Sequence, residues 1–321
     1  MNKYPLKLTY IDKTAIWGGS YLKEEYNKTS SYDRLAETWE LSVREKDTSI
    51  IENGEYAGMT LMQYISESLA QGYDAVGNEG GRFPLLIKFI DAHDKLSVQV
   101  HPSDDYALRE ENDLGKTEMW YILKARDGAE LIYGLLPGKD EKSLSDAISK
   151  GRTEDVLRHV PVKAGDCYFI PAGMPHAIGA GIVILEIQQN SDVTYRLYDY
   201  DRKDSSGHGR ELHIKKALDV VKNFSDQECL EIRQGASDPS DPPDTLVHCR
   251  YFYVRHIDCK DKVSICSKSS GFLSIIAIEG RGEIHSCGMV CPLNKGDSYF
   301  IPAGLGQLEL QGNVEVVVSG I

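Results

Sequence analysis

Gln99 and His101 flank Val100 in the run LSVQVHP at 96 to 102. Side chains on a strand repeat every two residues, so an amide and an imidazole at this spacing face the same way. That is half of a metal site. Glu118 stands in a second strand-like run, TEMWYIL at 117 to 123, sharing a face with Lys116 and Trp120, and His176 follows a Pro-Ala-Gly turn at 171 to 173. Taken singly, each has an ordinary reading: a hydrogen-bonded rim histidine, a solvated carboxylate, a turn cap. Taken together they do not, because the surroundings of His176, YFIPAGMPHAIG, carry no charge, and a buried imidazole without a partner is costly. Gln99, His101, Glu118 and His176 are therefore a candidate ligand set. It suits Zn²⁺, although the spacing equally admits iron or manganese.

Three more charges belong to the same discussion. Glu186 and Arg196 fall in EIQQNSDVTYRLYDYDR at 186 to 202, where polar and aromatic residues replace the apolar run before it. A pocket lip and a surface ion-pair network explain that pattern equally well. Lys88 sits in PLLIKFIDA, flanked by Leu86, Ile87, Phe89 and Ile90, so it either snorkels or points into a site that holds an anion.

The elements that must position these residues are mostly strands. LSVQVH, TEMWYIL, DCYFI, GIVILEI, FYVRHI, FLSIIAI and VEVVV, separated by Gly, Pro and Asn turns, predict a mainly β fold of barrel or sandwich type. Three helices are expected. Thr60 and Gln63 form a capping box ahead of Leu61, Ile65 and Leu69, with Gly72 as the stop. A second runs over 143 to 150 before Gly151, and a third over roughly 211 to 224 places Ile214, Leu218 and Val221 on one face.

An internal repeat organises the chain: AGDCYFIPAGMPHAI at 164 to 178 recurs as KGDSYFIPAGLGQLEL at 295 to 310. One strand, turn, strand unit is thus expected in each of two β units. His176 of the first copy aligns with Gln307 of the second, so only the first keeps its imidazole. QGASDPSDPPDT at 234 to 245 reads as a linker. The expected division is a unit at 1 to 233 with the helices and the intact repeat, then a smaller β unit at 246 to 321.

Composition limits what the chain can bind. With 36 basic and 49 acidic side chains, the net charge is −13, which opposes binding to nucleic acid or an anionic membrane. An anionic substrate then needs a locally basic pocket. Residues 167 to 185 lack acidic, lysine and arginine side chains, but Pro171, Pro175 and three glycines break them into strand, loop, strand, so no membrane span is expected. The amino terminus has no apolar secretory core, which points to the cytoplasm. Seven cysteines show no framework spacing and read as reduced thiols; Cys287 and Cys291 have no second pair to complete a zinc knuckle.

The chain resembles the type I mannose-6-phosphate isomerases, in their short bacterial form. The resemblance runs through IWGG at 16 to 19, AETWELS at 36 to 42, FPLLIKFIDAHDKLSVQVHPSD at 83 to 104, GKTEMWYIL at 115 to 123, the whole of 168 to 202, and RELHIKKALD at 210 to 219. It implies two cupin-type (jelly-roll) β-barrels, with a small helical component attached to the first. It also implies one Zn²⁺ per chain, with Gln99, His101, Glu118 and His176 as the matching ligand positions.

By the same resemblance, Arg196 is catalytic, Lys116 and Glu186 handle substrate, and Ser97 and Lys88 lie at the phosphate end. The partner implied is a small sugar phosphate, with no nucleic acid and no membrane, and a monomer is compatible with the sequence. The implied reaction interconverts mannose 6-phosphate and fructose 6-phosphate through a cis-enediol. Lys116, Glu186 and a zinc-bound water remain candidates for the proton shuttle. Two rivals follow from the residues: an iron cupin oxygenase built on the same His, His, Glu triad, and a non-catalytic sugar-phosphate-binding regulator.

Overall fold

The structure is a computed structural model that describes every residue except 204–206 and 234–240. Most of the segment expected to be a linker therefore lies outside the described residues; its end at Thr245 already belongs to the strand Thr245–His248.

The fold is mainly β, as the alternation predicts, and it is built on a strand layer buried on both sides. A six-stranded antiparallel sheet runs in the order Cys167–Ile170, Glu118–Ala125, Ile182–Gln189, Leu85–Ala92, Glu37–Leu41, Ile11–Lys13. Every residue of Leu85–Ala92 and of Ile182–Gln189 is buried. Period two divides them. Leu85, Ile87, Phe89, Met119, Tyr121, Val183, Leu185 and Ile187 enter one core, which they share with Phe252, Phe272 and Phe300 of the C-terminal half. Ile90, Trp120, Ile122, Ile182 and Ile184 enter the other. Lys88, Glu118 and Glu186 fall on this second face by parity. Each fully buried aliphatic or aromatic side chain supplies roughly 1.5–3 kcal/mol, so the apolar faces carry the polar residues set between them.

The second core is closed by a five-stranded antiparallel sheet, Leu157–Pro161, Glu130–Leu135, His176–Ile178, Val98–Val100, Tyr195–Tyr198, which contributes Leu131, Tyr133 and Ile178. The C-terminal half forms an eight-stranded sheet over its own core of Ile257, Ile275, Ile284, Leu293, Tyr299, Leu310 and Val316. Its two longest strands, Leu273–Ser286 and Gly306–Gly320, pair along their length and slip register between Ala277 and Glu279. Gly280 sits at that slip with φ +75°, and a Cβ there would meet Asn313 O at 2.3 Å. Among the described residues, none of the sheets closes on itself.

The halves are joined by more than apolar packing. Leu6–Lys7 pairs with Ser298–Ile301, adding the first strand of the chain to the C-terminal sheet. Lys28 donates to Glu40 Oε2 and to Gly296 O at 2.8 and 2.7 Å, while Ser298 Oγ donates to the same Glu40 oxygen at 2.5 Å.

Two of the expected helices form much as predicted. In Leu61–Ala70 the capping box is present: Gln63 N donates to Thr60 Oγ1 at 3.2 Å, and Thr60 N donates to Gln63 Oε1 at 3.0 Å. The second runs Glu141–Ser149, beginning earlier than expected because the Asp140 carboxylate accepts from Ser143 N at 2.8 Å and so sets the start. The third is shorter than expected, Ile214–Val220. Lys222 N donates to Gly173 O, Val221 leaves helical geometry at ψ 132°, and Ala217 and Val220 are the buried residues, with Leu218 and Val221 of the expected face partly buried against the same core. Tyr21–Glu25, Asp104–Glu110 and Asp226–Arg233 are helices beyond those expected.

Candidate metal centre and substrate cavity

Three elements bring the ligand candidates together. His101 follows the strand Val98–Val100, Glu118 opens the strand Glu118–Ala125, and His176 opens His176–Ile178 immediately after the Pro-Ala-Gly turn. Gly173 holds φ +96° in that turn, which returns the chain to pair His176 with Gln99 on one side and with Tyr133 on the other. The donor atoms of His101, Glu118 and His176 lie within 4.8 Å of one another, and all three side chains are buried. Glu118 lies between the imidazoles, with Oε2 3.5 Å from His101 Nε2 and Oε1 3.4 Å from His176 Nε2.

The hydrogen bonds fix how the imidazoles present themselves. His101 Nδ1 is 2.9 Å from Val193 O, and His176 Nδ1 is 2.8 Å from Met174 O. A carbonyl only accepts, so each Nδ1 carries the proton and each neutral ring turns the Nε2 lone pair inward. Burial and the Lys116 ammonium push His101 down to about 3, and burial lowers His176 as well. Burial opposes the charged form of Glu118, but Lys116 and then the imidazoles hold it well below the usual carboxylate range.

Both Glu118 oxygens and His176 Nε2 are buried without a hydrogen bond among the described residues. Lys116 Nζ lies 2.7 Å from Glu118 Oε2 and 3.0 Å from His101 Nε2, but its approach to the carboxylate lacks hydrogen-bond geometry. A carboxylate and two neutral imidazoles with lone pairs converging on one point, and unmet polar atoms at that point, fit a divalent cation.

Beside this group is a cavity of about 530 Å³. Gln99, Lys116, Trp120 and Glu186 line it near the histidines; Ser97, Arg196, Arg210, Lys88, Glu37 and Asp192 line it elsewhere. Gln99 is only partly buried and faces this space, between His176 on one neighbouring strand and Arg196 on the other. At a strand spacing of roughly 4.8 Å, Arg196 and His176 are about 10 Å apart across the sheet.

The chain as a whole is similar to known proteins of one family. A family model described as "Phosphomannose isomerase type I, catalytic domain" matches residues 6–128, and one described as "Mannose-6-phosphate isomerase, cupin domain" matches residues 243–321. Mannose-6-phosphate isomerase ManA of Bacillus subtilis is 41% identical over 321 residues, covering 99% of each chain. The chain belongs to the type I phosphomannose isomerases. Mannose-6-phosphate isomerase of Streptococcus mutans is 37% identical over 98% of both chains. The crystal structure of the Bacillus subtilis mannose 6-phosphate isomerase superposes with a TM-score of 0.86 at 36% identity, over 98% of this chain and 99% of that one.

The remaining candidates form two groups. Lys116 Nζ lies 3.7 Å from Glu186 Oε1, and Glu186 Oε2 lies 3.8 Å from Lys88, which is also 3.8 Å from Glu37. Burial alone would lower Lys116, but Glu118 and Glu186 raise it. Burial and the charge of Glu118 push Glu186 up to about 7. Ser97 belongs to the other group: its Oγ accepts from Arg196 Nε at 3.2 Å, and Arg196 Nη1 donates to Glu211 O at 2.8 Å. Sequence reasoning missed Glu37, Asp192 and Arg210. Glu37 was within reach, since alternation puts it on the face of Trp39; Asp192 and Arg210 lie on connections without a period to read.

The repeat also explains why the second unit differs. Gln307 pairs with Cys266 as His176 pairs with Gln99, and Ile301 pairs with Leu273 as Ile170 pairs with Glu118. The positions of the carboxylate and the imidazole are thus occupied by Leu273 and the exposed Gln307. Gln307→Ala should leave turnover and bound metal within about twofold of the unaltered protein, the range for an exposed side chain. A tenfold loss of either would show that the second unit takes part.

Proposed function

We propose that the chain interconverts mannose 6-phosphate and fructose 6-phosphate through a cis-enediol, using one Zn²⁺ held by His101, Glu118 and His176, with Gln99 beside them. The observation that carries the reading is the buried His, Glu, His group with unmet donor atoms, reached through Lys116 from a cavity lined by Glu186, Lys116 and Arg196. Two cupin-type jelly-roll units, 1 to 233 and 246 to 321 with 234 to 245 between them, and a cytoplasmic setting suit this reading.

Bound Zn²⁺ would act as a Lewis acid towards the C1 and C2 oxygens. Glu186, poised near neutrality, takes the C2 proton, and Lys116, kept protonated by its two carboxylates, gives a proton to the C1 oxygen, so the cis-enediol forms. In the second half Glu186 delivers its proton to C1 and Lys116 recovers one from the C2 hydroxyl. Of Lys116, Glu186 and a zinc-bound water, Glu186 is the base in this reading, supported by the burial and the Glu118 charge that push it up to about 7. Arg196 cannot act as a base, and its fixed charge stabilises the developing oxyanion. Lys88, matched by Glu37 and Glu186, holds Glu186 in place.

A coupled assay for fructose 6-phosphate tests the reading directly, and absence of product with a metal-loaded protein would end it. Arg196→Ala in the same assay should lower kcat by about 10²–10³-fold while bound metal is unchanged. A normal kcat would remove Arg196 from the reaction.

A further inference from the structure

We propose that Arg210, held in place by Asp199, grips the phosphate group of the substrate, so that Asp199 is a positioning residue for the reaction; this rests on the isomerase reading above. The argument begins with charge. The lysines of the cavity are each matched with carboxylates: Lys13 with Asp47, Lys88 with Glu37 and Glu186, Lys116 with Glu118 and Glu186. The guanidinium partners of Arg196 are neutral, a hydroxyl and a backbone carbonyl. At the arginine end three guanidiniums, Arg196, Arg202 and Arg210, face the carboxylates of Asp199 and the exposed Glu211, so positive charge is in excess there, in a chain whose net charge is −13.

Asp199 follows the strand Tyr195–Tyr198 and is 5% exposed. Its Oδ1 accepts from Arg202 Nη2 and from Arg210 Nη2 at 2.5 Å each, and its Oδ2 accepts from Arg210 Nε at 2.9 Å. One carboxylate thus serves two guanidiniums. Arg202 is used up as a brace: it also donates to Asp199 O and Lys95 O, and it does not line the cavity. Arg210 does line it, and its fork on Asp199 engages Nε and Nη2, leaving Nη1 uncommitted to that carboxylate. Fixed at one edge, with two neighbouring guanidiniums sharing a single counter-charge, Arg210 has the geometry for a dianion. Ser97, tied to Arg196, sits at this end, whereas Lys88 is already matched.

The test uses the full-length, metal-loaded protein with Arg210→Gln, Arg210→Lys and Asp199→Asn. Losing one charge-assisted contact should raise KM for mannose 6-phosphate about ten- to hundredfold, with kcat close to that of the unaltered enzyme. Competitive inhibition by inorganic phosphate should weaken by the same factor. Arg210→Lys should recover part of the loss, and Asp199→Asn should move KM and phosphate inhibition the same way. If Asp199→Asn does not fold, the Arg210 pair carries the test.

Unchanged KM and phosphate inhibition in Arg210→Gln would overturn the proposal, as would a fall confined to kcat. Calorimetric titration with inorganic phosphate separates this from the isomerase reading: a protein that makes no fructose 6-phosphate but binds phosphate through Arg210 would sink that reading and support the grip.

Discussion

Prolonged treatment with a chelator should abolish isomerisation, and stoichiometric Zn²⁺ should restore it. The expectation follows from the unmet atoms of the His101, Glu118, His176 group, beside whose two neutral imidazoles and ionised carboxylate the Lys116 ammonium is the one cation in contact among the described residues. Metal should also raise the midpoint of thermal unfolding, since a ligand that binds only the folded state at a thousand times its Kd adds about 4 kcal/mol. Full activity in protein shown to be metal-free would defeat the proposal. Recovery with Fe²⁺ but not Zn²⁺, together with oxygen consumption, would turn the assignment toward the oxygenase built on the same triad.

Glu186→Gln should lower kcat by about 10²–10⁴-fold, the range for losing a general base, with little change in metal content. The pH dependence has a definite sign. The base must be ionised, and burial together with the Glu118 carboxylate pushes Glu186 up to about 7, so the rate should fall as pH drops through that region. A cation held by Glu118 offsets part of the repulsion, so the acid limb of the loaded enzyme should lie no higher than about 7. Stopped assays across pH 5 to 9 would show whether Glu186→Gln loses both the rate and that limb. A variant that keeps its rate would leave Glu186 a structural partner of Lys88 and Lys116.

What could be read from the sequence was whatever depends on local period. Gln99 and His101 share a face because a strand repeats every two residues, and the duplicated Phe-Ile-Pro-Ala-Gly turn announced its own strand, turn, strand geometry. Lys88 drew notice as a charge in an apolar run, and a strand buried on both faces is the reason: Ile87 and Phe89 enter one core while Lys88 and Ile90 line the cavity. Connections without a period were opaque. Nothing in YDYDR or RELHI shows that Asp199 ties Arg202 to Arg210. Ser103 and the acidic pair Asp104, Asp105 did carry a helix-start signal for Asp104–Glu110, but the helix is too short to show an apolar stripe. The pairing of Leu6 with Phe300 joins residues from opposite ends of the chain, which no local pattern encodes.

That last pairing bears on how the molecule is made. Leu6–Lys7 is synthesised before Ser298–Ile301, so its backbone has no partner in this pairing until the later strand exists. The earlier strand must wait, and the Leu6 side chain, fully buried in the folded protein, lacks this part of its pocket throughout that interval.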